Sequence, residues 1–343
     1  MNNFYVVRLL ASIMVLFSHS FYLYSIKSID PLHRISGGIF TFGNIGVYIF
    51  LIVSGYLVTQ SFQNSTFILN FLWKRALRIL PGLWFMVLLS VLIIGPILSN
   101  QQLLTYFTTG SNFGFLTNIF LFIPNNFKIP SIFNENPIGT FNGCLWTIAY
   151  EVFFYLLLST FFFFNPLKIR FLILAQWLAF IFIQYYLGER IYTYSYSSPW
   201  LLNLNLEVCF RFFIYFESGV IIYLFKEYIN RTSTFIIYML ASILIIFLLG
   251  KTSMTLELIL PYFIIFLCVS TNKFSFIEKY GDFSYGLYLY GYIAQQYIVS
   301  LKLKFMNEYW LFILSLILTL LLAIFSWFFI EKKAIKYKNI FVK

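Results

Sequence analysis

The sequence predicts an all-α fold, a polytopic transmembrane helical bundle of about ten spans with the N-terminus and the C-terminus cytoplasmic. Three observations predict it. Hydrophobic residues make up 61% of the 343 and charged residues only 10%, where soluble domains carry about 25% charged, and the mean hydropathy is +0.84. Apolar runs of roughly twenty residues recur along the chain, the length a helix needs to cross a bilayer, and in lipid only helices and closed barrels satisfy their own backbone. The cations are unevenly spread. With the N-terminus inside, Arg8, Lys74, Arg75, Arg78, Lys168, Arg170, Lys226, Arg231, Lys273, Lys279, Lys332, Lys333, Lys336, Lys338 and Lys343 fall on the cytoplasmic side, outnumbering the outer cations roughly two to one, as the positive-inside rule requires.

The same composition excludes other classes. A net charge of +11 is accounted for by topology and by attraction to anionic membrane lipid, so nucleic acid is not an expected partner. Residues 1–343 show no soluble segment, linker or internal repeat and read as one integral-membrane domain. No positive charge precedes Arg8 and no small-x-small site follows the first apolar run, so no cleavable signal peptide is expected and the first span is expected to stay in the membrane. Cys144, Cys209 and Cys268 lie in or beside apolar spans without C-x-x-C spacing. They read as small core residues, with neither a metal site nor a disulfide expected.

The spans are expected at 4–24, 40–60, 82–98, 145–164, 171–187, 208–225, 235–250, 256–271, 283–300 and 309–330. The first carries Arg8 and His19. Eleven residues apart, they are offset by three turns plus roughly 20°, so they share one stripe at about 16 Å separation. Neither can reach the other, and ionisable groups inside a span face a bundle interior or a wet cavity. The loop 25–38 holds Asp30, His33 and Arg34 and reads as a solvated loop, with an acceptor-facing surface as the sharper alternative. In the second span Gly43, Gly46, Ser54 and Gly55 are small residues that allow close helix approach. Ahead of the third span, Arg75 and Arg78 are i and i+3 neighbours, a pair of guanidinium forks suited to phosphate or to anchoring the span. The stretch 99–144 is polar to apolar, with a re-entrant or interfacial piece around Phe113–Ile123.

The fourth span places Glu151 up to two turns into an apolar helix, which is costly unless paired. The available cations are Arg8, His19, Arg75, Arg78 and Arg211. In the sixth span Glu207 and Arg211 stand at i, i+4 and suit an intrahelical pair. Ser284, Tyr288 and Tyr290, with Gln295 and Gln296, make the ninth span a polar lining that could face a sugar; packing is the competing reading. Tyr150 on the fourth span is grouped with Tyr288, Tyr290 and Ser284 as acceptor-lining. The last span ends at Glu331 in a basic tail.

Taken in order, these motifs resemble the integral-membrane acyltransferase-3 family, which includes O-antigen and capsule O-acetyltransferases. The matching residues are R-x10-H at Arg8 and His19, the run IFLIVSGYLV, R-x-x-R-I-x-P at Arg75, Arg78 and Pro81, and L-W-T-x-x-x-E-x-x-x-Y from Leu145 to Tyr155. A weaker match runs from Ser284 to Leu289, and Glu331 resembles the family's terminal acidic residue. Where many relatives carry a second histidine, this chain has Gly291. The periplasmic esterase-like domain fused to some relatives is not expected.

The resemblance implies an acyltransferase of the bacterial cytoplasmic (inner) membrane. It moves an acyl group, most often acetyl, from cytoplasmic acyl-CoA to a hydroxyl of a sugar or polysaccharide, often lipid-linked. The acyl-CoA is a substrate, and no bound cofactor or metal is expected. His19, Glu151 and Arg8 are then the catalytic candidates. Arg75 and Arg78 are implied to grip the CoA phosphates while the pantetheine arm threads toward His19. His19 would be general base, or carry the acyl group covalently, and Glu151 would orient a partner or pair with arginine. The rival from another class is a polytopic transporter or flippase of lipid-linked sugars; consumption of acetyl-CoA with a sugar acceptor discriminates the two. A glycan polymerase would be expected to need a larger outer loop than 99–144.

Overall fold

In the computed structural model, which describes residues 3–123, 126–160, 168–197, 204–228, 232–249, 255–270 and 279–340, a helix stands at each of the ten expected stretches. The main helices are α1 (Phe4–Tyr24), α2 (Pro31–Ile35), α3 (Phe42–Gln63), α4 (Ile68–Leu89), α5 (Leu103–Thr108), α6 (Trp146–Ser159), α7 (Arg170–Ser197), α8 (Leu206–Leu224), α9 (Thr232–Leu249), α10 (Thr255–Ser270), α11 (Ser284–Ser300) and α12 (Glu308–Ser326). The chain is a helical membrane protein, and no strand occurs among the described residues. Four helical stretches among them are long and apolar enough to cross a membrane: Phe4–Tyr24, Phe42–Gln63, Ile68–Leu98 and Glu308–Asn339. Of the cations counted for topology, Arg231, Lys251, Lys273 and Lys343 lie outside the described residues, as do the ends of the expected spans 145–164, 235–250 and 256–271.

The third span departs from expectation. Its helix begins at Ile68 rather than 82, so Lys74, Arg75 and Arg78 lie within α4. Pro81 lacks an N–H and interrupts the ladder, yet the helix continues through it, a tolerance common in membrane helices. A π turn at Ser90–Ile94 follows, against which Tyr106 Oη donates to Val91 O at 3.0 Å. The stretch 99–144 contains α5 and a 3-10 helix, Gly110–Ile119, which overlaps the piece expected around Phe113–Ile123. Buried Asn112 and Asn118 hold these turns, donating to the carbonyls of Tyr106 (3.0 Å) and Phe115 (2.7 Å).

Contacts sort the chain into two units. One comprises Met1–Ala11, Val47–Leu72 and Tyr150–Tyr280. Here α3 meets α8 through glycines. A Cβ on Gly55 would stand 2.0 Å from Phe216 O, and one on Gly219 would stand 2.1 Å from Ile52 O, so only glycine admits this backbone approach. Tyr48 stacks on Tyr215 at 3.9 Å, and Phe4 of α1 on Tyr56 at 5.3 Å. Asn205 caps α8 by accepting from Val208 N, and Trp177 of α7 donates to Ile214 O at 2.9 Å. A cavity of about 360 Å³ lies among α6, α7 and α8, walled by Phe154, Phe180, Phe213 and Phe216 and reached by the carboxyl of Glu217.

The other unit comprises Ser12–Gly46, Trp73–Ala149 and Gly281–Lys343. Its axis is α11, which is buried nearly all round and polar on every face. Tyr285 donates to Ile79 O (2.8 Å), Gln295 to Leu16 O (2.7 Å), and Gln296 to Ile138 O (2.6 Å). Beside it runs α12, close enough that a Cβ on Gly286 would stand 2.7 Å from Ala323 Cα. Asn307 starts α12 by accepting from Trp310 N. At its end α12 passes into a π turn, Trp327–Glu331, followed by an α turn at Lys332–Ile335 and a 3-10 turn at Lys336–Asn339. Asp30 caps α2 through Leu32 N (2.8 Å) and also accepts from Phe42 N (3.0 Å), which ties the 25–38 loop to the start of α3.

Candidate active site

His19 lies on the inward side of α1 within the second unit. Its ring is met edge-on by Tyr22 at 5.6 Å and by Tyr292 at 5.5 Å, and Tyr22 Oη donates to Tyr292 Oη at 3.0 Å. His19 Nδ1 lies 3.6 Å from Cys144 Sγ, within reach of a thiol hydrogen bond. Cys144 sits two residues before α6. Its N–H donates to Asn142 Oδ1 at 3.0 Å and its carbonyl accepts from Tyr288 Oη at 2.9 Å, so its backbone is fixed from both sides. Tyr288 also shares a hydrogen bond with Thr147. The sequence reading placed Cys144 in the core, and so it is, at 3% exposed. What it missed is the neighbour: 125 residues separate the imidazole from the thiol, and no local spacing signals that pairing.

The arginine pair stands elsewhere in the same unit. Arg78 forms an ion pair with Asp282, whose side chain is 1% exposed, and its guanidinium lies 5.9 Å from the Trp327 ring. Arg75 precedes it by one turn of α4 and is half-buried. Asp282 was not singled out from the sequence, although an acid directly before a helix start is a capping signal. It accepts from Ser284 N (3.2 Å) and from Ser284 Oγ.

Ser284 is fully buried with its hydroxyl on Asp282, where it supports the ion pair. The three expected lining residues on α11 do not share one face. Tyr288 and Tyr290 differ by two residues, or roughly 200° around a helix. Tyr288 joins the group around Cys144, whereas Tyr290 is buried at 2% exposed. A helix carrying this many hydroxyls and amides, buried all round, spends them on different neighbours instead of pooling them.

The first unit holds the remaining candidates. Glu151 Oε1 accepts from Ser54 Oγ at 2.8 Å and from Tyr155 Oη, and Ser54 and Tyr155 are themselves 2.8 Å apart. The structure thus gives this carboxylate hydroxyls where the sequence offered cations. Hydroxyl donors satisfy an acceptor without the cost of desolvating a second charge. Ser54, grouped with the packing residues, is therefore a hydrogen-bonding partner, while Gly55 beside it does the packing. The Arg8 guanidinium lies 5.9 Å from the Phe50 ring. Tyr150 Oη accepts from Asn205 N at 2.9 Å and its ring meets Phe212 at 5.4 Å, which puts it at the start of α8. Glu207 and Arg211 pair at 3.3 Å, as their spacing predicts. Among the described residues no group of three or more His, Cys, Asp or Glu could hold a metal ion.

Against known proteins, the family model for an acyltransferase domain, that of acyltransferase-3, matches residues 2–331. The chain is 25% identical over 369 residues to nodulation protein 10 of Rhizobium leguminosarum bv. viciae, covering 98% of this chain and 94% of that protein. It is 27% identical over 336 residues to an O-acetyl transferase of Shigella phage Sf6, covering 97% of this chain and 95% of that protein. No solved structure matches it.

Proposed function

From the premise that this chain belongs to the acyltransferase-3 family and is a membrane acyltransferase, we propose that it is an O-acetyltransferase of the bacterial cytoplasmic membrane. The donor is acetyl-CoA or another acyl-CoA on the cytoplasmic side. The acceptor is a hydroxyl of a cell-surface or lipid-linked sugar, of the O-antigen or capsule kind. About ten spans, with both termini inside, carry it across the bilayer. The name of the phage relative supports acetyl as the group moved.

The observation that carries this reading is His19, an imidazole on an apolar helix that faces Cys144, Tyr22 and Tyr292 instead of lipid. Its role is general base on the acceptor hydroxyl, for which imidazole is suited near neutral pH. Arg75 and Arg78 bind the phosphates of CoA. A guanidinium carries five donors, so the ion pair to Asp282 aims the Arg78 fork and is compatible with phosphate on another edge. Glu151, held by Ser54 and Tyr155, is a positioning group.

The test is acyl transfer in isolated membranes from labelled acetyl-CoA to the polysaccharide of the host. His19→Ala is expected to lower the rate by about a hundredfold or more, and Arg75→Ala to raise the KM for acetyl-CoA. Wild-type membranes that consume no acetyl-CoA with any sugar acceptor would count against the enzyme and favour transport.

A further inference from the structure

We infer that Cys144 is the acyl-carrying nucleophile of this enzyme, with His19 as its base, so that transfer proceeds through an acyl-cysteine thioester. The inference rests on the acyl-CoA-dependent reaction proposed above. The nucleophile of a covalent mechanism is recognised by a base within hydrogen-bond reach and by a setting that favours its ionised form. Both are present. Nδ1 of His19 lies 3.6 Å from Sγ of Cys144. Cys144 sits two residues before the fourteen-residue α6, whose positive end acts in favour of a thiolate. The pair is also held from outside. Asn142 and Tyr288 fix the Cys144 backbone, and the Tyr22–Tyr292 pair fixes the imidazole on two sides. Gly143 lies against the Tyr292 ring, where a Cβ would come within 2.8 Å, so the residue before the thiol has to be small for this arrangement.

The chemistry balances without an added reagent. His19 takes the thiol proton as Sγ attacks the carbonyl carbon of acyl-CoA. The new C–S bond forms, the C–S bond to CoA breaks, and the proton passes to the departing CoA sulfur. One thioester replaces another. In the second half His19 takes the proton of the acceptor hydroxyl, the alkoxide oxygen bonds to the acyl carbon, and the Cys144 sulfur leaves and recovers the proton. The cysteine route lets donor and acceptor occupy the site in turn, the pattern called ping-pong.

The experiment uses full-length protein in detergent or native membranes, labelled acetyl-CoA and no acceptor. The expected result is label on the Cys144 peptide by mass spectrometry, released by neutral hydroxylamine, together with acceptor-independent exchange of acetyl between acetyl-CoA and free CoA. Cys144→Ala is expected to abolish the label and lower transfer at least about a hundredfold, with Cys268→Ala unchanged. Label on His19, or a Cys144→Ala variant transferring at the wild-type rate, overturns the thioester while leaving the acyltransferase intact. A wild-type protein that neither exchanges nor transfers acetyl overturns both readings. Because the peptide label is read on the wild-type chain, the outcome does not depend on Cys144→Ala folding.

Discussion

Two buried helices, α11 and α8, handle polar groups in opposite ways. On α11 the polar side chains point in all directions, and Tyr285, Tyr288, Gln295 and Gln296 each donate to a carbonyl of a neighbouring segment. On α8 the long buried run from Ile214 to Leu224 is packed by glycine contact and aromatic rings, and its one interior acid, Glu217, has an Oε2 with no hydrogen-bond partner. That carboxyl borders a cavity with largely apolar walls. The difference teaches where specificity is stored. Around α11 the neighbours are fixed by direction, since each bond has one geometry. Around α8 they are fixed by shape.

Four substitutions break or sharpen that contrast. Asp282→Ala, at the entry to α11, leaves the Arg78 guanidinium without its buried counter-ion. It should cost about 3 kcal/mol, read as a fall in the melting temperature of detergent-solubilised protein. On α8 the vulnerable point is steric. Gly219→Val places carbon atoms against the Ile52 carbonyl and should cost about 2 kcal/mol, visible in the same melting assay. If the two helices were held by similar means, Gly219→Val would be harmless. Tyr285→Phe keeps the ring and removes only the donor to Ile79 O, so about 1 kcal/mol is expected. Smallest is Glu217→Gln. An unsatisfied buried carboxyl contributes nothing that an amide of equal size lacks, so stability should stay within about 0.5 kcal/mol of wild type or rise. A large loss there would mean that Glu217 serves a partner and that the contrast between α8 and α11 is false.

Much of this was legible in the sequence because lipid restricts the choices. The run from Phe4 to Tyr24 is apolar to both ends, and its helix has the bounds expected of it. The Glu207–Arg211 pair follows from helical spacing alone. The start of α4 was not legible, since residues 68–81 are amphipathic and Pro81 looks like a boundary when it is only an interruption. The candidate site divides the same way. That His19 faces inward follows from the cost of an imidazole in lipid. Its pairing with Cys144 is set by tertiary packing across 125 residues of chain, and nothing local encodes it. Glu151 misled for a related reason. A carboxylate in an apolar span was taken to need a cation, yet Ser54 and Tyr155 supply enough hydrogen-bonding capacity. Ser284, Tyr288 and Tyr290 were grouped by their chemistry, when angle around the helix decides which of them share a neighbour.

The π turn at Trp327–Glu331 acts as a phase shifter. Its wider winding carries one surplus residue, which brings Glu331 back beneath Ser326 five positions earlier, where it accepts from the serine hydroxyl at 2.8 Å. The chain's last acid is thereby turned inward at 2% exposed while Lys332 and Lys333 stay outside. Remove one residue from 328–330 and the winding reverts to regular pitch, with the carboxylate now four positions after Ser326 and still at the same station. Wound at regular pitch with its full length, the same segment would set Ile330 over Ser326, so the surplus residue is what lets the acid close the interior.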